Sequence, residues 1–287
     1  MGDKVKFDED SCPSLKEEVL LVNIIVCIKQ VNDPEAPPSS FKIDSNTNKV
    51  IPPPNMPPVI STFDEYAVEA ALRIKEKVGG KITAISLGVN LLRDVVKKPL
   101  SMGADDLVLL EDPAFMDGDS WSTAYVLSLA IKKIGQFDLI LCGRQAADWD
   151  SGQVGLGIAE LLGLPSVSIA RKIEVVGNKA LVERVIPDGF ELVEVTLPGV
   201  ITLSNEHAAP RYPNVKGIMM AKRKEPIIWK QGDIGADPSK IGTNGRKSKL
   251  LKLFQPVRDT KCEVVSGDNP EEAATKLARR LREVKVL

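Results

Sequence analysis

An open, mostly parallel, doubly wound α/β sheet of the flavodoxin- or Rossmann-like, adenine-nucleotide-binding kind is the fold class predicted for this chain. Three observations predict it. Short β-branched runs alternate with amphipathic stretches between residues 23 and 169, the rhythm of βαβ units. Polar, glycine-containing loops follow the apolar runs, above all at 141–155. From residue 172 to 203 helical periodicity gives way to closely spaced strands around a Gly177-Asn178 turn, which predicts an antiparallel extension of the sheet.

The elements follow in order. Residues 1–22 are a charged extension, and 23–31 are the first strand. A proline-rich excursion comes next, with a hairpin (41–44 against 49–51) turning at Asn46-Thr-Asn48. Thr62-x-x-Glu65 is a capping-box signal for a helix with Ala67, Val68, Ala71, Leu72 and Val78 on its apolar face, ended by Gly79-Gly80. Strand 81–87, helix 91–102, strand 106–110, helix 120–134 and strand 138–142 succeed it, and a helix opens near Gln153. A short strand at 166–169 precedes the closely spaced ones at 173–176, 180–186, 192–196 and 200–203. Beyond His207 few periodic elements remain until a helix at 270–284. This divides the chain into the extension, a nucleotide-binding domain at 23–205, and a C-terminal arm at 206–287 that would lie on another subunit.

Composition narrows the function. With 287 residues, 43% of them hydrophobic, the chain can bury a substantial core. A formal charge of −1 argues against general binding to nucleic acid or anionic membranes. No apolar run approaches a bilayer span, and the first twenty residues lack a signal-peptide pattern, so a soluble, cytoplasmic protein is expected. Cys12, Cys27, Cys142 and Cys262 form no Cys-x-x-Cys, and His207 is the single histidine, so no metal site is expected. No nucleophile–base pair stands out. A cofactor would have to supply the reaction.

The most informative stretch joins a buried strand to a helix start. It comprises Cys142, Gly143, Arg144, Gln145, Ala146, Ala147, Asp148, Trp149, Asp150, Ser151, Gly152, Gln153, Val154 and Gly155. A strand feeding a polar, glycine-bearing loop and then a helix N-terminus is how α/β sheets bind nucleotides. As a bare helix cap it would be excessively long. Cys27, Leu87, Gly88 and the helix start at Ser61, Thr62, Phe63 and Asp64 would converge on the same crevice. Taken alone, Cys27 reads equally well as a small core residue. The residues Asp119, Ser120 and Thr123 at another helix start read, on chemistry alone, as an ordinary N-cap. Val215, Lys216, Ile218, Met219, Met220 and Lys222 combine adaptable apolar side chains with cations. A docking segment and a solvated basic loop fit them equally.

Seven ordered motifs then identify a resemblance. They are Val-Cys-Ile-Lys-Gln-Val at 26–31, Phe-Asp-Glu-Tyr-Ala-Val-Glu-Ala-Ala-Leu-Arg at 63–73, Met-Gly-Ala-Asp at 102–105 and the loop at 142–155. Leu-Pro-Gly-Val-Ile-Thr at 197–202, Arg-Tyr-Pro at 211–213 and Ile-Met-Met-Ala-Lys-Arg-Lys at 218–224 complete them. Over residues 23–287 the chain resembles the beta subunit of electron-transfer flavoprotein, including the relatives associated with nitrogen fixation. The resemblance implies a heterodimer with an FAD-carrying alpha subunit and a nucleotide in this subunit. That nucleotide would be contacted by Cys27, Ser61 to Asp64, Leu87, Gly88 and the loop 142–155. The segment 215–224 would dock dehydrogenase, ferredoxin or quinone-reductase partners.

The nucleotide is AMP in members serving acyl-CoA dehydrogenases and FAD in electron-bifurcating members. Asp119-Ser-Trp-Ser-Thr123 resembles the Asp-Thr-x-Ala-Thr stretch of the bifurcating type, with Ser120 for Thr and Ser122 for Ala. The tail at 254–272 also resembles that type. FAD is therefore the favoured cofactor and NADH the implied donor, with electrons divided between a low-potential and a high-potential acceptor. A conventional carrier holding AMP, and a non-redox adenine-nucleotide sensor, are the alternatives.

Overall fold

The computed structural model describes residues 21–255 and 262–287. The predicted extension therefore lies outside the described residues, except for Leu21 and Val22. The chain divides into two units. One holds Ile51–Leu250 and the described residues before Ile43; the other holds Ile43–Val50 and the described part of Leu251–Leu287. This corrects the predicted boundary, because residues 206–250 belong with the α/β unit.

In the first unit the chain forms β1 (Ile24–Ile28), β2 (Gln30–Val31), β5 (Val59–Ile60), α1 (Thr62–Val78), β6 (Ile82–Gly88), α2 (Arg93–Val96) and α3 (Lys98–Met102). There follow β7 (Asp106–Glu111), α4 (Ser120–Ile134), β8 (Leu139–Gly143), α5 (Val154–Leu162), β9 (Ser166–Val176), β10 (Lys179–Ile186), β11 (Gly189–Thr196) and β12 (Gly199–Leu203). The unit closes with α6 (Val215–Arg223) and β13 (Ile227–Trp229). The second unit contains all but the end residues of the predicted hairpin, β3 (Lys42–Asp44) with β4 (Lys49–Ile51), and α7 (Pro270–Glu283). Asn269 caps α7 by accepting from Glu272 N at 2.9 Å.

Nine strands form one sheet in the order β11-β10-β9-β12-β8-β1-β6-β7-β13. From β9 through β13 every pairing is parallel, and only the two pairings of β10, with β9 and with β11, are antiparallel. The central strands are continuous apolar runs because both faces are covered. Val26, Leu109 and Leu141 pack beneath α1 and α3, whereas Ile25, Ile140 and Ile131 pack on the α4–α5 side. From β1 the chain winds outward through β6 and β7, then returns to place β8 on the other flank of β1. The strand order thus reverses between β1 and β8, the position where open α/β sheets bind ligands.

Several expectations are corrected in detail. The first strand breaks at Lys29, since Gln30 and Val31 pair antiparallel with β5 instead. Helix 91–102 is two short helices, because Pro99 cannot supply an amide to a continuous ladder. Strands 166–169 and 173–176 are one strand, β9, which passes Ile169 at φ +60. β12 is not part of the antiparallel extension but lies parallel between β8 and β9. Residues 215–223, in a stretch expected to hold few periodic elements, form helix α6, capped by Asn214 accepting from Gly217 N at 2.8 Å. β13 was not foreseen at all.

Candidate functional site

The C-terminal ends of β1, β6 and β8 open into a cleft of about 470 Å³. Each wall is held by a carboxylate. Asp64, in the first turn of α1, is buried beneath the cleft. Its Oδ2 accepts from Lys29 N at 2.8 Å and its Oδ1 from Gly143 N at 3.1 Å. One side chain therefore ties the ends of β1 and β8 to the start of α1. Burial raises its pKa to about 7; the two amide donors and the Lys29 charge oppose that rise.

The predicted capping box is not formed. Ser61 is the N-cap, but its Oγ accepts from Ala147 N at 3.2 Å, and the Glu65 carboxylate pairs with Lys98. The Ser61 hydroxyl makes no cap bond and secures the loop.

Loop 144–153 folds against this base. Asp148 takes Lys29 Nζ on both oxygens at 2.8 Å. Asp150 sits at φ +51 and accepts Gln145 Nε2 at 2.7 Å. The Arg144 guanidinium lies 4.7 Å over the Phe63 ring, and its Nε is buried with no hydrogen-bond partner. Two glycines of the stretch have a packing reason. A Cβ on Gly143 would stand 2.5 Å from Asp64 Oδ1, and one on Gly155 2.7 Å from Thr202 Cγ2.

Opposite stands the N-terminus of α4. Asp119 caps it, with Oδ1 accepting from Ser122 N at 3.0 Å. Its Oδ2 accepts three further bonds, from Lys247 N at 2.7 Å, Ser248 N at 2.9 Å and Ser248 Oγ at 3.1 Å. Burial alone would raise this carboxyl, but the converging donors outweigh it and lower the pKa to about 2. Ser120 Oγ reaches across to Ser151 Oγ at 3.1 Å.

Most of the predicted site residues converge. Cys27, Asp64, Leu87, Asp119, Ser120, Thr123, Cys142, Gly143, Arg144, Gln145, Ala146, Trp149, Ser151, Gly152, Gln153, Val154 and Gly155 line the cleft. Ser61, Phe63, Ala147, Asp148 and Asp150 stand behind the wall and brace it through the contacts above. Thr62 is an exposed first helical residue, and Gly88 packs against Leu91. Sequence reasoning missed Lys29, Arg246, Ser248 and Leu250, which also line it. Lys29 lay in a quoted motif, but its partner is 119 residues distant. Cys27 and Cys142 face each other on the floor; their hydrogen bond and burial push the Cys142 thiol up.

Helix α6 lies elsewhere on the unit. Gly217 packs so closely that a Cβ there would meet Ser101 O at 2.2 Å, and Ala221 is buried. Val215, Ile218, Met219 and Met220 are exposed. The described residues include neither a cluster able to hold a metal ion nor a helix long and apolar enough to cross a membrane.

Residues 56–233 match the electron transfer flavoprotein domain family. A protein named electron transfer flavoprotein subunit beta, from Thermoanaerobacterium thermosaccharolyticum, is 41% identical over 261 residues, covering 91% of this chain and 98% of its own. The caffeyl-CoA reductase-Etf complex subunit CarD of Acetobacterium woodii is 36% identical over 93% of this chain and 100% of its own. The acryloyl-CoA reductase electron transfer subunit gamma of Anaerotignum propionicum is 33% identical, covering 88% of this chain and 95% of its own.

Proposed function

Since the chain belongs to the electron transfer flavoprotein family, in the role of its beta subunit, we propose that its cleft binds FAD and that, with an alpha subunit, it takes part in electron bifurcation from NADH. One electron would go to a low-potential acceptor such as ferredoxin and the other to a high-potential acceptor. The observation that carries this reading is the extent of the cleft. It does not end at the loop that would hold an adenylate, but continues past Ser120 and Thr123 to Arg246 and Leu250. An extended dinucleotide needs that second stretch; AMP does not.

The residues present fit such a ligand. Arg144 offers a buried, unpartnered N–H, and Gln153, Val154 and Gly155 open helix α5, whose first amides suit phosphate. Bound FAD would supply the redox chemistry, accepting a hydride and releasing electrons singly. The chain's own contribution is to bind and orient it and to exclude water. The hydroxyls of Ser120, Thr123 and Ser151 are placed for its polar linker, and Leu87, Leu127 and Leu250 for its apolar parts. The exposed apolar side chains of α6, flanked by Lys216 and Lys222, form the surface for redox partners. Family membership leaves the non-redox sensor without support.

Counting the nucleotides released from the purified heterodimer tests the reading. Two FAD per heterodimer and no AMP are expected. One FAD with one AMP would sink it and favour the conventional carrier.

A further inference from the structure

The wall of the cleft supplied by residues 241–250 has no counterpart in the strand ends or in the loop 142–155. It is built with close tolerance. Ile241 is buried in the core beside α4. Gly242 has φ +52, and a Cβ there would stand 2.4 Å from Ala114 O; one on Gly245 would stand 2.1 Å from Lys240 O. The chain then rises as a strap across the start of α4. Asp119 accepts two successive amides of the strap, Lys247 Nζ lies 4.8 Å over the Trp121 ring, and Arg246 Nε donates to the Asp117 carbonyl.

These contacts hold Arg246 in the cleft wall by its Nε. A guanidinium has five N–H donors in a fixed fork, and the bond to Asp117 uses one of them. Arg246 lines the cleft, and the other arginine that lines it, Arg144, belongs to the opposite loop. The two cations thus mark the two walls.

We propose that Arg246, presented by the Asp119-anchored strap, is a specificity-determining residue that binds the second phosphate of a dinucleotide and so selects it over a mononucleotide. This rests on the proposed reading of the cleft as a dinucleotide site. A charge-assisted bond to phosphate is among the stronger hydrogen bonds. At a solvent-facing wall its loss is expected to weaken binding about tenfold.

The test is isothermal titration of the nucleotide-stripped heterodimer with AMP, ADP and FAD, comparing the native chain with Arg246→Gln. Any binding by the alpha subunit is common to both proteins, so the change reports this chain. ADP and FAD are expected to weaken about tenfold while AMP changes less than about twofold, which also shows that the variant is folded. Equal weakening of all three, or no weakening of ADP, would overturn the assignment. A native protein that binds FAD no better than AMP would instead remove the dinucleotide reading, whatever the variant does.

Discussion

The bonds of Asp119 separate cleanly into two functions, and one substitution removes only one of them. Asn is as good an N-cap as Asp, so Asp119→Asn preserves the bond to Ser122 N. Its amide nitrogen, however, would stand where Oδ2 now accepts Lys247 N, Ser248 N and Ser248 Oγ. A donor would meet three donors, and the strap would lose its anchor. The magnitude follows from the carboxyl itself. Lowering the pKa from 3.8 to about 2 is worth at most ~2.4 kcal/mol at ~1.36 kcal/mol per unit. Solvent screening at this partly exposed site brings that to roughly 1–2 kcal/mol. The sign is that of a depressed acid: the stabilisation is complete above about pH 4 and lost as pH falls toward 2, with about half gone by pH 3. Hydrogen exchange of strap peptides is the direct assay. The Lys247 and Ser248 amides should lose protection in the variant, while amides in the interior of α4 keep theirs. Urea titrations should show the gap between the two proteins narrowing below pH 4. Unchanged exchange in the strap, or loss of α4 protection along with it, would refute the reasoning.

Other consequences can be checked independently. Arg211 joins α1 to the chain before α6 by bonding buried Glu69 and exposed Glu76, so Arg211→Ala should cost about 3 kcal/mol in urea unfolding. That is the low end for a broken buried pair, since Arg73 still bonds Glu69 at 2.7 Å; a loss below about 1 kcal/mol would mean the pair is dispensable. For Asp64 the folded pKa is raised, so native stability should decline as pH rises from about 4 to about 7. Asp64→Asn should flatten that part of the stability profile, and an unaltered slope would exclude Asp64 as its source. A double-mutant cycle on Lys29 and Asp148 should give only ~0.2–1 kcal/mol, falling in high salt, because the pair is partly exposed. Alkylation followed by peptide mapping should label exposed Cys262 well before buried Cys142; equal rates would contradict the closed floor of the cleft.

Much of this architecture was legible because it depends on local pattern. The alternation of apolar runs with amphipathic stretches places β6, β7 and β8, the start of β1 and of α5, and the helices α1 and α4 within a residue or two. Direction was harder to read. Only two residues separate β11 from β12, which suggests a hairpin, yet β12 crosses to the middle of the sheet. Its composition held the clue: Gly199 to Leu203 is uncharged and buried throughout, whereas Glu191 and Glu194 keep β11 at an edge. β13 was invisible because three apolar residues after Pro226 carry no period. The strap was illegible for a stronger reason. Nothing in Gly245 to Ser248 signals structure; its conformation is imposed by a carboxylate 128 residues earlier. Asp119 itself could be read as a cap from its neighbours, but a cap consumes only one of its oxygens.

That accounting also explains how a crevice with four aspartates in and behind its walls can accept an anionic nucleotide. Unpaired, such carboxylates would repel phosphate. Here each is committed to the protein. Asp64 takes two strand-end amides, Asp119 takes its cap and the strap, Asp148 takes Lys29, and Asp150 takes Gln145. The acids thus build the walls, and with Lys29 taken up by Asp148 the remaining cationic residues that line the cleft are Arg144 and Arg246. Removing a partner should then do more harm than removing an acid. Lys29→Ala would release Asp148 as a free anion beside the cleft and should weaken nucleotide binding, whereas Asp148→Asn would release a cation and should strengthen it. Opposite changes in affinity from the two halves of one ion pair would mark the pair as an electrostatic guard of the site. Equal losses would mean that it only braces the loop.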